Sequence, residues 1–400
     1  MNSRPLEGNE ARNLIAINNT GTPSALLFLT ATGLSHALLD ATEPVRRFFE
    51  DANFHFYERQ SQGQEHKIER KCTLALDKDV VQTTVSLYRP NTKKGDPRLW
   101  ISGLRGHAKP GDVLALVIKD GGLVVANLTQ LQPPEPFDVA EGSLAYSYID
   151  QIVSEQFVAE SSARVAELVE KLRKIAKDYL PAEVDADTAV GRAIEKALGI
   201  KINSSKSPDY KGIELKSSRA LRKANRSGLF AKVADWEISS CKSSAEILRR
   251  HGYVEEGVRR LCCTVKASRP NSQGLFLVKT DSELREMCKM AGKTAGVCIW
   301  RLSGLHEALL KKHRETFWIK LESFSRGKNE YFRLKSAIHT KSPSVTHFDT
   351  MLDSGDVTVD HMITQEPDET SPQEKGPQFK VADAKRPQLF LGKQKEYIFA

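Results

Sequence analysis

Short runs of branched and aromatic residues, broken by turn formers, dominate the chain from about Ser24 to Gln130. LLFLTATG, HKIERKCTLAL, TTVSLYR, RLWISGL and DVLALVIKDGGLVVANL each read as strand. Between VLALVIK and LVVANL, Asp120, Gly121 and Gly122 predict a hairpin, because glycine takes the positive φ of a primed turn without steric cost. The spacing predicts a mostly-β domain, a small barrel or curled sheet. Pro133, Pro134 and Pro136 mark its exit.

The period then changes. In SSARVAELVEKLRKIAKDYL, Val165, Leu168, Val169, Leu172, Ile175 and Tyr179 share one helical face, with Glu167 and Lys171 as an i,i+4 pair opposite. A second helix covers DTAVGRAIEKALG, with Asp187 as N-cap and Gly199 as stop. GIELKSS, GLFLVKT, AGVCIWRLS and TFWIKLES read as strands, and SSAEILRRHG and DSELREMCKMAG as helices between them. That succession is α/β. Polar TQEPDETSPQEKG, at 364–376, reads as a loop.

Length and composition fit this two-part organisation. Four hundred residues suit two domains, and 40% hydrophobic with 28% charged residues excludes global disorder. A net charge of +8 favours a polyanionic partner without specifying one. No apolar run approaches a membrane span, and the polar start MNSRPLEGNEARN lacks the apolar core of a secretory signal. The expectation is a cytoplasmic protein with no membrane partner. Cys72, Cys241, Cys262, Cys263, Cys288 and Cys298 show no paired-ligand spacing, so reduced thiols are expected rather than a zinc site.

Candidate chemistry concentrates in SPDYKGIELKSSR. Alternation along a strand puts Glu214 and Lys216 on one face and Ile213 and Leu215 in the core. A tight hairpin brings Asp209 beside Glu214. Two such carboxylates repel each other and gain from a divalent cation, and their oxygens suit Mg2+. Lys216 is then placed to orient a water and offset charge on the transition state. The bare D…E-x-K pattern arises about once by chance in a protein of this size, and it reads equally as a surface hairpin with a Glu/Lys pair. The proline before Asp209, the alternating apolar residues and the basic stretch after it separate the two readings. That stretch, Ser217, Ser218, Arg219, Arg222, Lys223, Asn225 and Arg226, suits phosphate contacts or a solvated loop.

PDYKGIELKSS resembles the active-site hairpin of the PD-(D/E)XK nucleases, in particular the MvaI/BcnI restriction endonucleases and the mismatch-repair nuclease MutH. VGRAIEKALGI resembles the preceding helix with its further acidic residue, here Glu195. KHRETFWIKLES and FDTMLDSGDVTVDHMI…EKGPQFKV resemble the family's C-terminal segments, so the likeness spans roughly 155–400. It implies a mixed sheet flanked by helices. It also implies Mg2+ held by Asp209, Glu214 and the main chain at Leu215, with Glu195 as a further carboxylate and Lys216 serving the water. Where the family has a histidine and an arginine in the tail, this chain has Lys375 and Lys380, which can still donate to guanine or phosphate. His339 and His361 are the histidines expected to line the groove. His313 and His347 read more simply as packing residues.

The first domain resembles the N-terminal effector domain of EcoRII, a DNA-binding pseudobarrel. One arm would carry Ser35 and His36. The other, YRPNTKKGDPR, would carry Arg89, Lys93, Lys94, Asp96 and Arg98, with Arg105 and His107 beyond it. The expected organisation is therefore a β-barrel-like DNA-binding domain at 1–145, a linker at 146–155 and a nuclease at 156–400. An EcoRII-like reader joined to an MvaI-like cutter implies a monomeric type IIE enzyme with a CCWGG target, two duplex sites bound at once and a companion DNA methyltransferase. A MutH-like nicking enzyme and a non-catalytic DNA-binding regulator are the alternatives.

Overall fold

The structure is a computed structural model that describes residues 4–93, 95–133, 144–150, 162–184, 186, 188–200, 208–220, 225–267, 269–290, 292–327 and 329–399. Lys94, Pro134, Pro136, Asp187, Arg222 and Lys223 lie outside these. The chain forms two compact units, 1–153 with Ser344–Gly355, and 154–343 with 356–400.

The first unit is built on a seven-stranded sheet, in the order Ser24–Phe28, Val113–Lys119, Gly122–Asn127, Ile68–Ala75, Val80–Tyr88, Arg98–Ile101 and Leu39–Asp40. Its apolar residues alternate between two cores, because successive strand side chains point to opposite faces. Leu27, Leu114, Leu116, Leu74 and Leu87 enter one core with Phe49. Leu26, Ala115, Val117, Val124 and Ala126 enter the other with Leu14, Ile17 and Tyr146. The expected hairpin is present: Asp120 and Gly121 both take positive φ (50° and 71°), and Lys119 pairs with Gly122. TATG does not continue the first strand. It opens the helix Ala31–His36, because the Thr30 side chain accepts from the Gly33 amide as an N-cap.

The described residues of the second unit form three sheets. The one that positions the chemistry runs Phe390–Ile398, Asn329–Pro343, Glu315–Arg326, Glu214–Arg219, with Leu180–Pro181 on the long Asn329–Pro343 strand. Glu214–Arg219 lies at the edge and pairs in parallel with Glu315–Arg326, Glu214 opposite Thr316 and Lys216 opposite Trp318. Leu215, Phe317, Ile319 and Leu321 face a core closed by the helices Ser162–Ile175 and Ala189–Ala197. Both helices follow the predicted period, and Gly199 ends the second at φ +73°. The first stops earlier than expected, because Leu180 leaves it to pair with Phe332. A second sheet orders Arg226–Ala231, Gln378–Ala382, Val357–Gln365, Val258–Val265 and Tyr253–Glu255, with Gln373–Glu374 beside Val357–Gln365.

The third sheet corrects one expectation. DSELREMCKMAG is the central strand Glu283–Met290 of three, between Leu275–Lys279 and Lys293–Arg301. Leu284, Glu286 and Cys288 are the buried set. A buried glutamate disguises the two-residue period, while Leu284, Met287 and Cys288 imitate a helical face.

Candidate active site

The hairpin around Asp209 is built by backbone geometry that its sequence permits. Tyr210 and Ile213 exchange both main-chain hydrogen bonds (2.9 and 2.7 Å) across Lys211 and Gly212, at φ +47° and +87°. A two-residue turn with both central residues at positive φ matches strand twist, and glycine takes the second place freely. Asp209 is thereby folded back onto the strand it precedes. Its Oδ2 accepts from the Leu215 amide at 3.0 Å.

Glu214 is the most enclosed member of the group, 1% exposed. Its Oε1 lies 2.9 Å from Lys216 Nζ, and its Oε2 lies 3.0 Å from Lys312 Nζ, at the end of the helix Leu302–His313. The second contact is an ion pair without aligned hydrogen-bond geometry, so Oε2 is a buried oxygen with no hydrogen-bond partner. Burial raises the Glu214 carboxyl above its ordinary value; Lys216 opposes the shift and the Asp209 charge adds to it. Glu195, half-buried on Ala189–Ala197, is raised too, by burial and then by the charges of Asp209 and Glu214. Burial and then the neighbouring charges therefore hold Glu195 and Glu214 away from the charged state, which a divalent cation would relieve. Among the described residues no three acidic, His or Cys side chains already close on one point as a metal cage. Two ammonium groups instead stand on Glu214, where a cation would. An all-oxygen donor set with one unbonded buried oxygen fits a hard cation.

Lys312 is the residue that sequence reading missed. A lysine in the last turn of a helix reads as a complement to the helix dipole, which hides any other use. Its neighbour His313 anchors it. The His313 ring is buried and stacked on Trp318 (5.5 Å, 5°), donates from Nε2 to the Leu229 carbonyl at 2.7 Å, and sits 3.0 Å from Thr316 Oγ1 through Nδ1. Burial, aided by the charge of Lys216, lowers its pKa to about 3, so it stays neutral and structural.

Strand register sorts the other candidates. His339 lies opposite Phe317 and stacks on it at 4.8 Å, with Nε2 2.9 Å from Glu315. It therefore shares the Phe317 face, not the face of Glu214 and Lys216. His361 is 1% exposed with Nε2 2.8 Å from buried Glu286, and so presents no edge to solvent. Arg219 forms a two-pronged pair with Glu330 (2.9 and 2.8 Å) and covers Phe332, bracing the sheet. Arg226 and Lys380 meet on the second sheet through a residue not singled out from sequence. Asp360 accepts from Arg226 Nη1 at 2.7 Å, from Lys380 Nζ at 2.8 Å and from Thr264 Oγ1 at 2.9 Å. Burial pushes its carboxyl up, but Arg226 and Lys380 together hold it below the usual range. Lys375 is exposed near the start of Gln378–Ala382.

In the first unit, Ser35 and His36 are exposed at the end of their helix. Arg105 reaches that end, donating from Nε to the Leu34 carbonyl at 2.9 Å and from Nη2 to that of Ser35. Arg89 closes the other arm, donating to the carbonyls of Gly95 (2.9 Å) and Gln60 (3.2 Å), so its guanidinium shapes the loop. Lys93 and Asp96 are exposed on that loop, and Arg98 pairs with Asp40. The six cysteines are free thiols; Cys72, Cys241, Cys288 and Cys298 are buried. No described helix is long and apolar enough to cross a membrane.

The sequence profile of the MvaI/BcnI restriction endonuclease family matches residues 169–390. Among solved structures, one described as a restriction endonuclease MvaI–cognate DNA substrate complex superposes over 60% of this chain and 100% of that one, with TM-score 0.52 and 18% identity. That likeness establishes a shared fold. The same enzyme in the absence of DNA aligns over 60% of this chain and 99% of its own at TM-score 0.36 and 18% identity. No curated protein matches the chain by sequence.

Proposed function

The chain belongs to the MvaI/BcnI restriction endonuclease family, and from that premise we propose that it is a type II deoxyribonuclease of PD-(D/E)XK chemistry, cutting both strands of a short DNA site with Mg2+. The observation that carries the reading is the buried carboxylate of Glu214, on the strand that Asp209 folds back against, with Lys216 and Lys312 on its two oxygens in the place of a cation. Bound there, the metal would supply Lewis acidity toward a phosphate oxygen.

The chain's own groups have separate tasks. Asp209 and Glu214 offer the carboxylate oxygens, with the Leu215 main chain beside them. The Leu215 amide fixes the rotamer of Asp209 before any ligand arrives. Glu195 adds negative charge from the neighbouring helix. Lys216, beside Glu214 Oε1, would present its ammonium to the attacking water and to charge building on the phosphate. The raised carboxyls of Glu195 and Glu214 make protons and metal compete for one site, so activity falls on the acid side.

Sequence choice is assigned to the neighbouring sheet, where Arg226, Asp360 and Lys380 group donors and an acceptor suited to base edges, with Lys375 for a phosphate. His339 and His361 are left out of the proposed interface. In the first unit, Ser35, His36 and Arg105 on one arm and Lys93 and Asp96 on the other are proposed to hold a second duplex, giving type IIE behaviour in a monomer. The target proposed is CCWGG, guarded by a companion methyltransferase. The test is digestion of a sequenced plasmid with Mg2+, followed by sequencing of the ends. Double-strand ends at one repeated sequence support the reading. Only nicked circles would favour a MutH-like enzyme, and no product at any metal concentration would favour a DNA-binding regulator.

A further inference from the structure

One helix belongs by packing to a different unit from the strands on either side of it in the chain. Val345–Ser354 lies between the strands Asn329–Pro343 and Val357–Gln365 of the second unit, yet it packs within the first. Its contacts there are specific and buried. Arg47 donates to Asp349 at 2.9 Å, and the Asp349 side chain has no exposed surface. His347 Nε2 lies 3.1 Å from Ser24 Oγ, and Thr346 Oγ1 donates to the Ser24 carbonyl at 2.7 Å. Ser24 opens the first strand of the N-terminal sheet, and Arg47 sits on the helix Glu43–Asp51, where it also pairs with Glu43.

The connections to the flanking strands have almost no slack. Only Ser344 separates the first strand from the helix, and only Gly355 and Asp356 precede the second. Ser344 is also the N-cap, its Oγ accepting from the His347 amide at 3.2 Å. Gly355 closes the other end at φ +80°, a left-handed C-cap that glycine adopts freely. Each residue spans at most about 3.6 Å, so a shift of the helix by more than a few ångströms must be taken up by the strands themselves. Those strands are consequential. Asn329–Pro343 pairs with Glu315–Arg326, which pairs with the strand of Glu214 and Lys216. Val357–Gln365 carries Asp360 between Arg226 and Lys380.

We propose that the helix Val345–Ser354 is a coupling element: gripped by Ser24 and Arg47 in the N-terminal unit, it transmits what that unit binds to both strands that flank it. The mechanical part rests on packing and connectivity alone, whereas its effect on cleavage rests on the nuclease reading above.

The test uses the full chain in three variants, Arg47→Met, Ser24→Ala and the conservative Arg47→Lys. Amide exchange without DNA is the first readout. Expected is exchange about tenfold faster in Arg47→Met, and less so in Ser24→Ala, at the ends of both flanking strands (339–341 and 357–359), with Arg47→Lys close to wild type. Faster exchange confined to 345–354 would overturn the proposal. If Arg47→Met fails to fold, Ser24→Ala decides by the same criterion. Cleavage is the second readout. The ratio of rates on two-site and one-site plasmids should fall toward one in the weakened variants, and an unchanged ratio would overturn the proposal. A wild type that cuts no plasmid refutes the nuclease reading, while the exchange result still judges the coupling.

Discussion

Asp209→Asn isolates charge from shape at the site. Asparagine keeps a carbonyl oxygen where Asp209 Oδ2 accepts from the Leu215 amide, so the hairpin should close as before. The folding cost should stay within about 1 kcal/mol, the net worth of one hydrogen bond. Asp209→Ala removes the acceptor too and should cost about 1 kcal/mol more, the strand-edge amide being left to water. Cleavage is a different matter. Losing an anionic ligand should lower the rate by about a thousandfold or more, roughly 4 kcal/mol of barrier. Metal stabilisation gives an independent measure. At a metal concentration ten times its dissociation constant, binding stabilises the wild type by about 1.4 kcal/mol. That is roughly 3–6 °C in Tm for a unit of this size, and Asp209→Asn should lose most of it. The assay pairs supercoiled-plasmid cleavage in Mg2+ with calorimetry in Ca2+ and in chelator. Asp209→Asn cutting within tenfold of wild type, or keeping the full metal-dependent shift, would refute the assignment of Asp209 as a ligand.

Three further outcomes are expected. Lys312→Met should slow cleavage about 10–100-fold, as losses around metal ligands do, with little change in DNA affinity; an unaltered rate in a single-turnover assay would remove Lys312 from the site. In chelator, Glu195 and Glu214 have folded-state values raised above their unfolded ones, so the stability they contribute is full below the unfolded value and is lost as pH rises through the folded one. Wild type should therefore gain on Glu214→Gln as pH falls from 8 toward about 4.5; a parallel Tm offset at every pH would contradict this. Asp360→Asn should free Arg226 and Lys380 from their shared partner and narrow discrimination between cognate and single-mismatch sites by about tenfold or more. Unchanged relative rates on a mismatch panel would exclude Asp360 from sequence choice.

Local signals carried a good part of the fold. Alternating apolar residues located the strands of the N-terminal sheet, Asp120 and Gly121 fixed its hairpin, and the 3.6-residue period found both helices behind the strand of Glu214 and Lys216. The spacing of Asp209, Glu214 and Lys216 was legible for the same reason: a turn and one strand join all three, so the chain itself brings them together. What lay outside this reach depended on contacts between residues distant in sequence. The strand Glu283–Met290 was disguised because its buried Glu286 pairs through one oxygen with His361, whose burial also removed it from the expected groove. Only strand register could place His339 on the face opposite Glu214, since a histidine's neighbours in sequence do not reveal which side of a paired strand is covered. Lys312 reaches Glu214, and Asp360 gathers Arg226 and Lys380, only through the order in which strands pair. The helix Val345–Ser354 makes the point most fully. Its serine cap and glycine stop are local features, though the sequence reading did not single them out, and the unit that holds it is decided by Ser24 and Arg47. Helical propensity is a property of neighbouring residues, whereas the burial of Asp349 is a property of the whole folded chain.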